Sequence, residues 1–197
     1  MLTLFTACEA CSLVPIVALE KAQVKYRINT IDLAGGEQYS PEFLRVNPKG
    51  QVPALHTPDG SITEIIGILF YLHKHYPAAR ILPRTMNFID ATCHLAWLVS
   101  HIHPLTTQYC RRKVTEREPD TGEELHRALS IIHERLKEST FWHDEDWNLL
   151  DVYLFWIVRQ LKESSFDCSG LALLEEHQQR LASIPVICRS ILKESLL

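Results

Sequence analysis

The chain has 197 residues, of which 46% are apolar and 22% charged, with a formal net charge of −4. This composition is that of a folded protein of one or two domains, and its acidic balance argues against a broad nucleic-acid surface. Because no apolar run reaches the roughly 20 residues of a membrane span and the N-terminus lacks a secretion-signal pattern, we expect a cytoplasmic protein without membrane partners.

Up to about residue 80, short apolar runs alternate with turn residues, which predicts a mixed α/β domain. The expected order is β-α-β-α-β-β-α, as in thioredoxin-like domains, so we predict such a domain over residues 1–78. Ser12 stands where it would cap the first helix. The predicted strands are 2–6, 25–32, 52–56 and 61–63, and the predicted helices are 12–22, 41–46 and 64–76.

Beyond a linker at 79–86, helical periodicity dominates, which predicts an all-helical domain over 87–197. Asn148 and Asp151 form the outline of a capping box. The Asn148 side chain would accept the main-chain N–H of the third helical residue, and the Asp151 side chain would accept the main-chain N–H of Asn148. The predicted helices are 87–112, 121–139, 148–163 and 171–180, with a last one after Pro185.

Two of the six cysteines, Cys8 and Cys11, form a C-x-x-C pair between the first strand and the first helix. A thiol at a helix start lies near unpaired N–H groups, which lower its pKa, so Cys11 is a candidate nucleophile and Cys8 a candidate resolving partner. The alternative is that both are small buried residues. The other cysteines are interpreted as buried free thiols, and the histidines lack metal-ligand spacing, so no metal site is expected.

Two further features suggest a ligand site. Pro53 stands at the start of an apolar strand, where its peptide bond is either cis or trans. A cis bond would turn the main chain of Val52 outward to pair with an extended peptide, whereas a trans proline would simply end a loop. Glu64 opens a helix, where it complements the helix dipole or holds a ligand ammonium group, and the N–H of Ile65 would hold a ligand carboxylate.

Taken together, these stretches resemble the glutathione transferase family, and within it the bacterial beta class. The resemblance covers nearly the whole chain and is carried by residues 10–15, 47–55 (N-P-K-G-Q-V-P-A-L), 59–64, 103–104 and 151–156. It implies a thioredoxin-like domain followed by an all-helical domain, a homodimer, glutathione as co-substrate and a small hydrophobic electrophile as second substrate.

The resemblance also implies roles for residues of the first domain. Cys11 matches the cysteine beside the glutathione sulfur, and Val52 matches the residue that pairs with the glutathione main chain, ahead of the family's cis-proline at Pro53. Glu64 matches the acidic residue that binds the γ-glutamyl end, next to Ile65 at the carboxylate-binding position. The family usually has a small residue such as serine at that position.

In the second domain, the resemblance makes His103 a histidine near the thiol and Asp151 a folding residue. The electrophile is expected against the helix that carries Thr107, Tyr109 and Cys110. The chain departs from the beta class in two more respects: residues 34–37 contain no lysine, and His101 replaces an acidic residue. Conjugation of glutathione is the first functional hypothesis, and the alternatives are glutathione-dependent disulfide reduction or a scaffold with little catalysis.

Overall fold

In a computed structural model of the chain, residues 1–7, 10–112 and 119–197 are described, and the chain divides into two compact units. The first unit comprises residues 1–81 and 185–197, and the second comprises residues 82–184. Within the described ranges, no helix has both the length and the apolar character needed to cross a membrane.

The first unit contains a four-stranded sheet built from β1 (Leu2–Thr6), β2 (Tyr26–Thr30), β3 (Ala54–Thr57) and β4 (Gly60–Thr63). The strands stand in the order β2-β1-β3-β4. Strands β1 and β2 are parallel, whereas β3 is antiparallel to both β1 and β4. The predicted β-α-β-α-β-β-α order is confirmed, with single-turn 3-10 segments at Glu37–Tyr39 and Pro77–Ala79. The helices of this order are α1 (Leu13–Lys21), α2 (Pro41–Val46) and α3 (Ile65–His75).

The pairing register brings three strand ends together. Phe5, near the end of β1, pairs with Ala54, the first residue of β3, and Ala54 pairs in turn with Thr63, the last residue of β4. Strand β3 begins two residues later than predicted, directly after Pro53, which has no N–H to contribute to a ladder. The segments that follow β1 and β4 and the segment that precedes β3 therefore lie at one end of the sheet.

Helix α1 is buried on all sides, because every residue from Leu13 to Leu19 is inaccessible to solvent. A helix that is apolar all round needs a partner on more than one face, and the last helix, α9 (Pro185–Glu194), packs against α1. Glu20 of α1 accepts hydrogen bonds from Lys193 of α9 and from the Tyr26 hydroxyl, the latter at 2.7 Å. The predicted boundary put this last helix in the second domain, whereas its contacts place it in the first unit.

The second unit is helical. Its elements are α4 (Phe88–Trp97), α5 (His103–Arg111), α6 (Pro119–Arg135), α7 (Leu149–Glu163) and α8 (Ala172–Ala182). The single helix expected over 87–112 is interrupted by a π-helical turn at Leu98–Ile102, in which the N–H of His103 donates to Leu98 five residues earlier. Pro104 explains the wider turn, since it has no N–H and its ring would crowd the carbonyl four residues before it.

The predicted capping box at the start of α7 is confirmed. The Asn148 side chain accepts the N–H of Leu150 at 2.9 Å, and Asp151 accepts the N–H of Asn148 at 2.9 Å. The other oxygen of Asp151 accepts the N–H of Trp142 at 2.7 Å and lies 2.8 Å from Nε2 of His177. One buried carboxylate thus joins the preceding loop, α7 and α8.

Candidate functional site

The predicted ligand-binding residues of the first unit lie at the sheet end where β1, β3 and β4 meet. Cys11 follows β1, Val52 precedes β3, and Glu64 follows β4. Because Phe5, Ala54 and Thr63 are paired across the sheet, the three segments start from adjacent strand positions. Residues distant in sequence are therefore brought to one edge of the domain.

Cys11 precedes α1 by two residues and is a free thiol of intermediate exposure. Desolvation of the thiol raises its pKa to about 12, and the negative charges of Glu194 and Glu64 act in the same direction. The predicted lowering is therefore wrong, because burial outweighs the effect of the helix start. Cys11 is a protonated thiol at neutral pH, able to donate an S–H hydrogen bond. Cys8 lies outside the described residues.

Ser12 does not cap α1 with its side chain, contrary to the prediction. Its backbone is already helical, with φ −71° and ψ −19°, whereas a capping side chain normally requires an extended residue. The Ser12 hydroxyl is buried and has no hydrogen-bond partner among the described residues.

The loop before β3 is organised by the buried side chain of Asn47. Its amide donates to the carbonyl of Gln51 at 2.6 Å, and its oxygen accepts the N–H of Lys49 at 3.1 Å. Gly50 has a φ of +63°, and a Cβ atom there would lie only 2.9 Å from the ring of Tyr39, so the position requires glycine. The loop therefore holds Lys49 and Val52 on a fixed backbone.

The peptide bond between Val52 and Pro53 is cis, which agrees with the first of the two sequence alternatives. The paired residues of β3 begin at Ala54. The main-chain N–H and C=O of Val52 consequently lie outside the strand ladder. An extended ligand would hydrogen-bond to them as a short added strand.

Glu64 immediately precedes α3 and has a φ of +66°. Its side chain does not cap the helix and instead accepts a hydrogen bond from Lys49 at 2.6 Å. The same Lys49 ammonium donates to the Thr63 hydroxyl at 3.0 Å. Ile65 is the first residue of α3 and is only 5% exposed, so its side chain belongs to the core. Lys49 was not predicted as a site residue, although it lies within the motif at 47–55.

In the second unit, His103 begins α5 and is half-buried. Its Nδ1 lies 2.7 Å from the Tyr153 hydroxyl oxygen, and its ring packs edge-on against Trp156. Burial lowers the pKa of His103 to about 4, with a smaller contribution from the positive charge of Arg111. The imidazole is therefore neutral at pH 7.

The predicted electrophile-binding residues also lie on α5. The ring of Tyr109 packs against Phe166 at a centroid distance of 5.2 Å, and Cys110 donates to the carbonyl of Gln160 at 3.5 Å. Thr107 is partly exposed. Two of the three side chains therefore contact other parts of the helical unit, and their role in binding an electrophile remains a prediction.

The described residues contain no group of three or more His, Cys, Asp or Glu side chains placed to hold a metal ion. The groups at this end of the sheet that could bind or react with a ligand are the Cys11 thiol, the main chain around Val52 and the charged side chains of Lys49 and Glu64.

Residues 1–74 match the N-terminal domain of the glutathione S-transferases. Glutathione S-transferase GstA of Escherichia coli O157:H7 is 28% identical over 193 residues, which cover 95% of this chain and 96% of GstA. The disulfide-bond oxidoreductase YfcG of E. coli K12 is 27% identical over 192 residues, or 90% of this chain and 88% of YfcG. A sphingomonad glutathione S-transferase complexed with glutathione has the same fold, with a TM-score of 0.86, 24% identity and coverage of 99% and 100% of the two chains.

Proposed function

We propose that the chain is a member of the glutathione S-transferase family and a beta-class-like transferase that conjugates glutathione to small electrophiles, since residues 1–74 match the family's N-terminal domain and GstA is similar over nearly the whole chain. The observation that carries the proposal is the convergence of Cys11, Val52 and Glu64 at one end of the sheet in the domain that matches the family. The sphingomonad relative of the same fold is complexed with glutathione, which supports glutathione as the co-substrate.

Each group has a chemical role in this proposal. Val52 and Pro53 bind the extended main chain of glutathione as a short added strand. Glu64 binds the ammonium of the γ-glutamyl group, and the N–H of Ile65 at the start of α3 faces its carboxylate. Cys11 donates its S–H to the glutathione sulfur and stabilises the glutathione thiolate, which then attacks the electrophile.

The protonated state of Cys11 favours conjugation over disulfide reduction. In conjugation, glutathione supplies its own thiolate, whereas disulfide reduction with Cys11 as the nucleophile requires the Cys11 thiolate. A thiol whose pKa is raised to about 12 is a poor nucleophile at neutral pH. Disulfide reduction is still the second candidate, because one relative of similar identity is a disulfide-bond oxidoreductase.

We further propose that the protein acts in the cytoplasm as a homodimer, that His103 is catalytic, and that the electrophile binds against Thr107, Tyr109 and Cys110 of α5. The exposed side chains of Phe88 and Ile89 at the start of α4 support association, since they are 51% and 72% accessible. Contiguous exposed apolar surface is typical of contact surfaces, and these two neighbouring residues would contribute to it.

The test is titration of the protein with glutathione by calorimetry, combined with a conjugation assay that uses 1-chloro-2,4-dinitrobenzene. We expect saturable binding and measurable conjugation. The variant Cys11→Ala should retain part of the conjugation and lose any disulfide reduction. Cys93→Ala is the matched control, because Cys93 is an exposed free thiol on α4. Absence of saturable glutathione binding would contradict the proposal and favour the scaffold hypothesis.

A further inference from the structure

We infer that Lys49 determines ligand specificity by binding the free carboxylate of an α-amino-acid head group while Glu64 binds its ammonium. The inference rests on the proposed function and deepens it. It assigns to Lys49 the side-chain contact that Ile65 does not provide, and it predicts that the site selects ligands with both charges of a zwitterion.

The geometry places two opposite charges side by side at the start of α3. The Lys49 ammonium lies 2.6 Å from a Glu64 carboxylate oxygen and 3.0 Å from the Thr63 hydroxyl. The Lys49 and Glu64 side chains are 51% and 59% exposed. Exposed ion pairs contribute little to folding stability, so both groups are free to exchange part of their interaction for a ligand.

An α-amino-acid head carries an ammonium and a carboxylate on the same carbon atom. Its electrostatic complement is a protein carboxylate next to a protein ammonium, because each ligand charge then faces its opposite. Because Lys49 lies 2.6 Å from Glu64, a ligand whose ammonium faces Glu64 can place its carboxylate beside Lys49. Lys49 and Glu64 would thus move apart to contact the ligand. The two protein charges and the two ligand charges would then alternate in sign.

The surroundings favour Lys49 for this role. The side chain of Ile65 is buried and has no donor, so the first turn of α3 offers a carboxylate only main-chain N–H groups. The backbone of Lys49 is held by the side chain of Asn47, and its ammonium is oriented by Thr63. The cation is therefore already positioned beside Glu64, which reduces the entropy lost when a ligand binds.

The experiment compares two ligands and three variants by calorimetry at constant ionic strength. The ligands are glutathione and 4-aminobutyryl-cysteinylglycine, which lacks only the α-carboxylate. The variants are Lys49→Met, Lys49→Arg and the control Lys74→Met, which removes the same charge from the exposed far end of α3. Circular dichroism verifies that each variant is folded.

We expect Lys49→Met to weaken glutathione binding about fivefold, as for one partly exposed charge-assisted contact, and to leave the affinity for the decarboxylated ligand unchanged. Lys49→Arg should retain most of the discrimination, and Lys74→Met should change neither affinity. Equal losses for both ligands, or tighter glutathione binding by Lys49→Met, would overturn the inference alone. If the parent protein bound no glutathione, the proposed function would fail with it.

Discussion

At the scale of single residues, Cys11 is subject to two opposing influences. The unpaired N–H groups at the start of α1 favour a thiolate, while burial and the nearby carboxylates of Glu194 and Glu64 favour the thiol. Glu194 comes from the last helix, so the state of a residue near one end of the chain depends on a residue near the other. The protonated thiol makes Cys11 a hydrogen-bond donor in the proposed reaction.

The reactivity of Cys11 should therefore be low at neutral pH. The rate of Cys11 alkylation by iodoacetamide can be measured against pH by mass spectrometry of the Cys11 peptide. We expect the midpoint of this pH profile to lie well above the free-thiol pKa of about 8.5. Glu194→Gln should lower the midpoint because it removes a buried negative charge, whereas Glu138→Gln, an exposed change in the second unit, should not. A midpoint at or below that of a free thiol would show that the helix start dominates.

His143 has a φ of +70°, and its ring lies 4.3 Å from that of His94. Burial lowers its pKa to about 4, and the charges of His94 and Arg135 act in the same direction. Between its unfolded pKa of 6.5 and about 4, the unfolded chain binds more protons than the folded one. The stability that the neutral ring contributes is thus complete above pH 6.5 and is lost as the pH falls.

We expect the thermal midpoint to decrease between pH 7 and pH 5, and to decrease less in His143→Asn. Asparagine is the chosen replacement because it is uncharged and tolerates a positive φ. The decrease should not vanish in the variant, since the lowered pKa of His103 acts with the same sign. Equal pH dependence of parent and variant would contradict the prediction.

At the scale of secondary structure elements, Asp151 connects the start of α7 to its surroundings. It accepts hydrogen bonds from the N–H groups of Trp142 and Asn148 and pairs with His177, all of them buried. Asp151→Ala would leave these three groups without their acceptor. Loss of one partner from a buried charged network typically costs about 3–5 kcal/mol.

We therefore expect Asp151→Ala to lower the free energy of unfolding by about 3 kcal/mol at pH 7, measured with urea. Asn87→Ala is the matched comparison: Asn87 caps α4 through the N–H of Asp90, but that hydrogen bond is exposed. Loss of an exposed cap should cost only about 1 kcal/mol. If the two variants were equally stable, the buried network around Asp151 would contribute no more than an ordinary cap.

The secondary structure elements could be predicted where the sequence pattern depends only on neighbouring residues. Alternating apolar runs predicted the strand and helix order of the first unit, and Asn148 with Asp151 predicted the start of α7. The π turn before His103 was not predicted, because periodicity treats Pro104 as one residue of a long helix. Its effect depends on a carbonyl one turn earlier, which a pattern of apolar residues does not record.

At the scale of the whole molecule, long-range contacts account for what the sequence did not predict. The raised pKa of Cys11 depends on its burial and on Glu194, which is distant in the chain. The pairing of Lys49 with Glu64 depends on the register of β3 and β4, and charged surface residues give no periodic signal. The likeness to a known family indicated Cys11, Val52 and Glu64, but not the charge that lies beside Glu64.

The packing of α9 on α1 bears on the order in which the protein acquires its structure during synthesis. The ribosome releases the strands and helices of residues 1–81 long before it releases residues 185–197, yet these segments form one compact unit. Until α9 emerges, the side of α1 that it covers is exposed to solvent and to other chains. Molecular chaperones that recognise apolar segments would find their target in this interval, on a helix whose residues 13–19 are all buried in the finished protein.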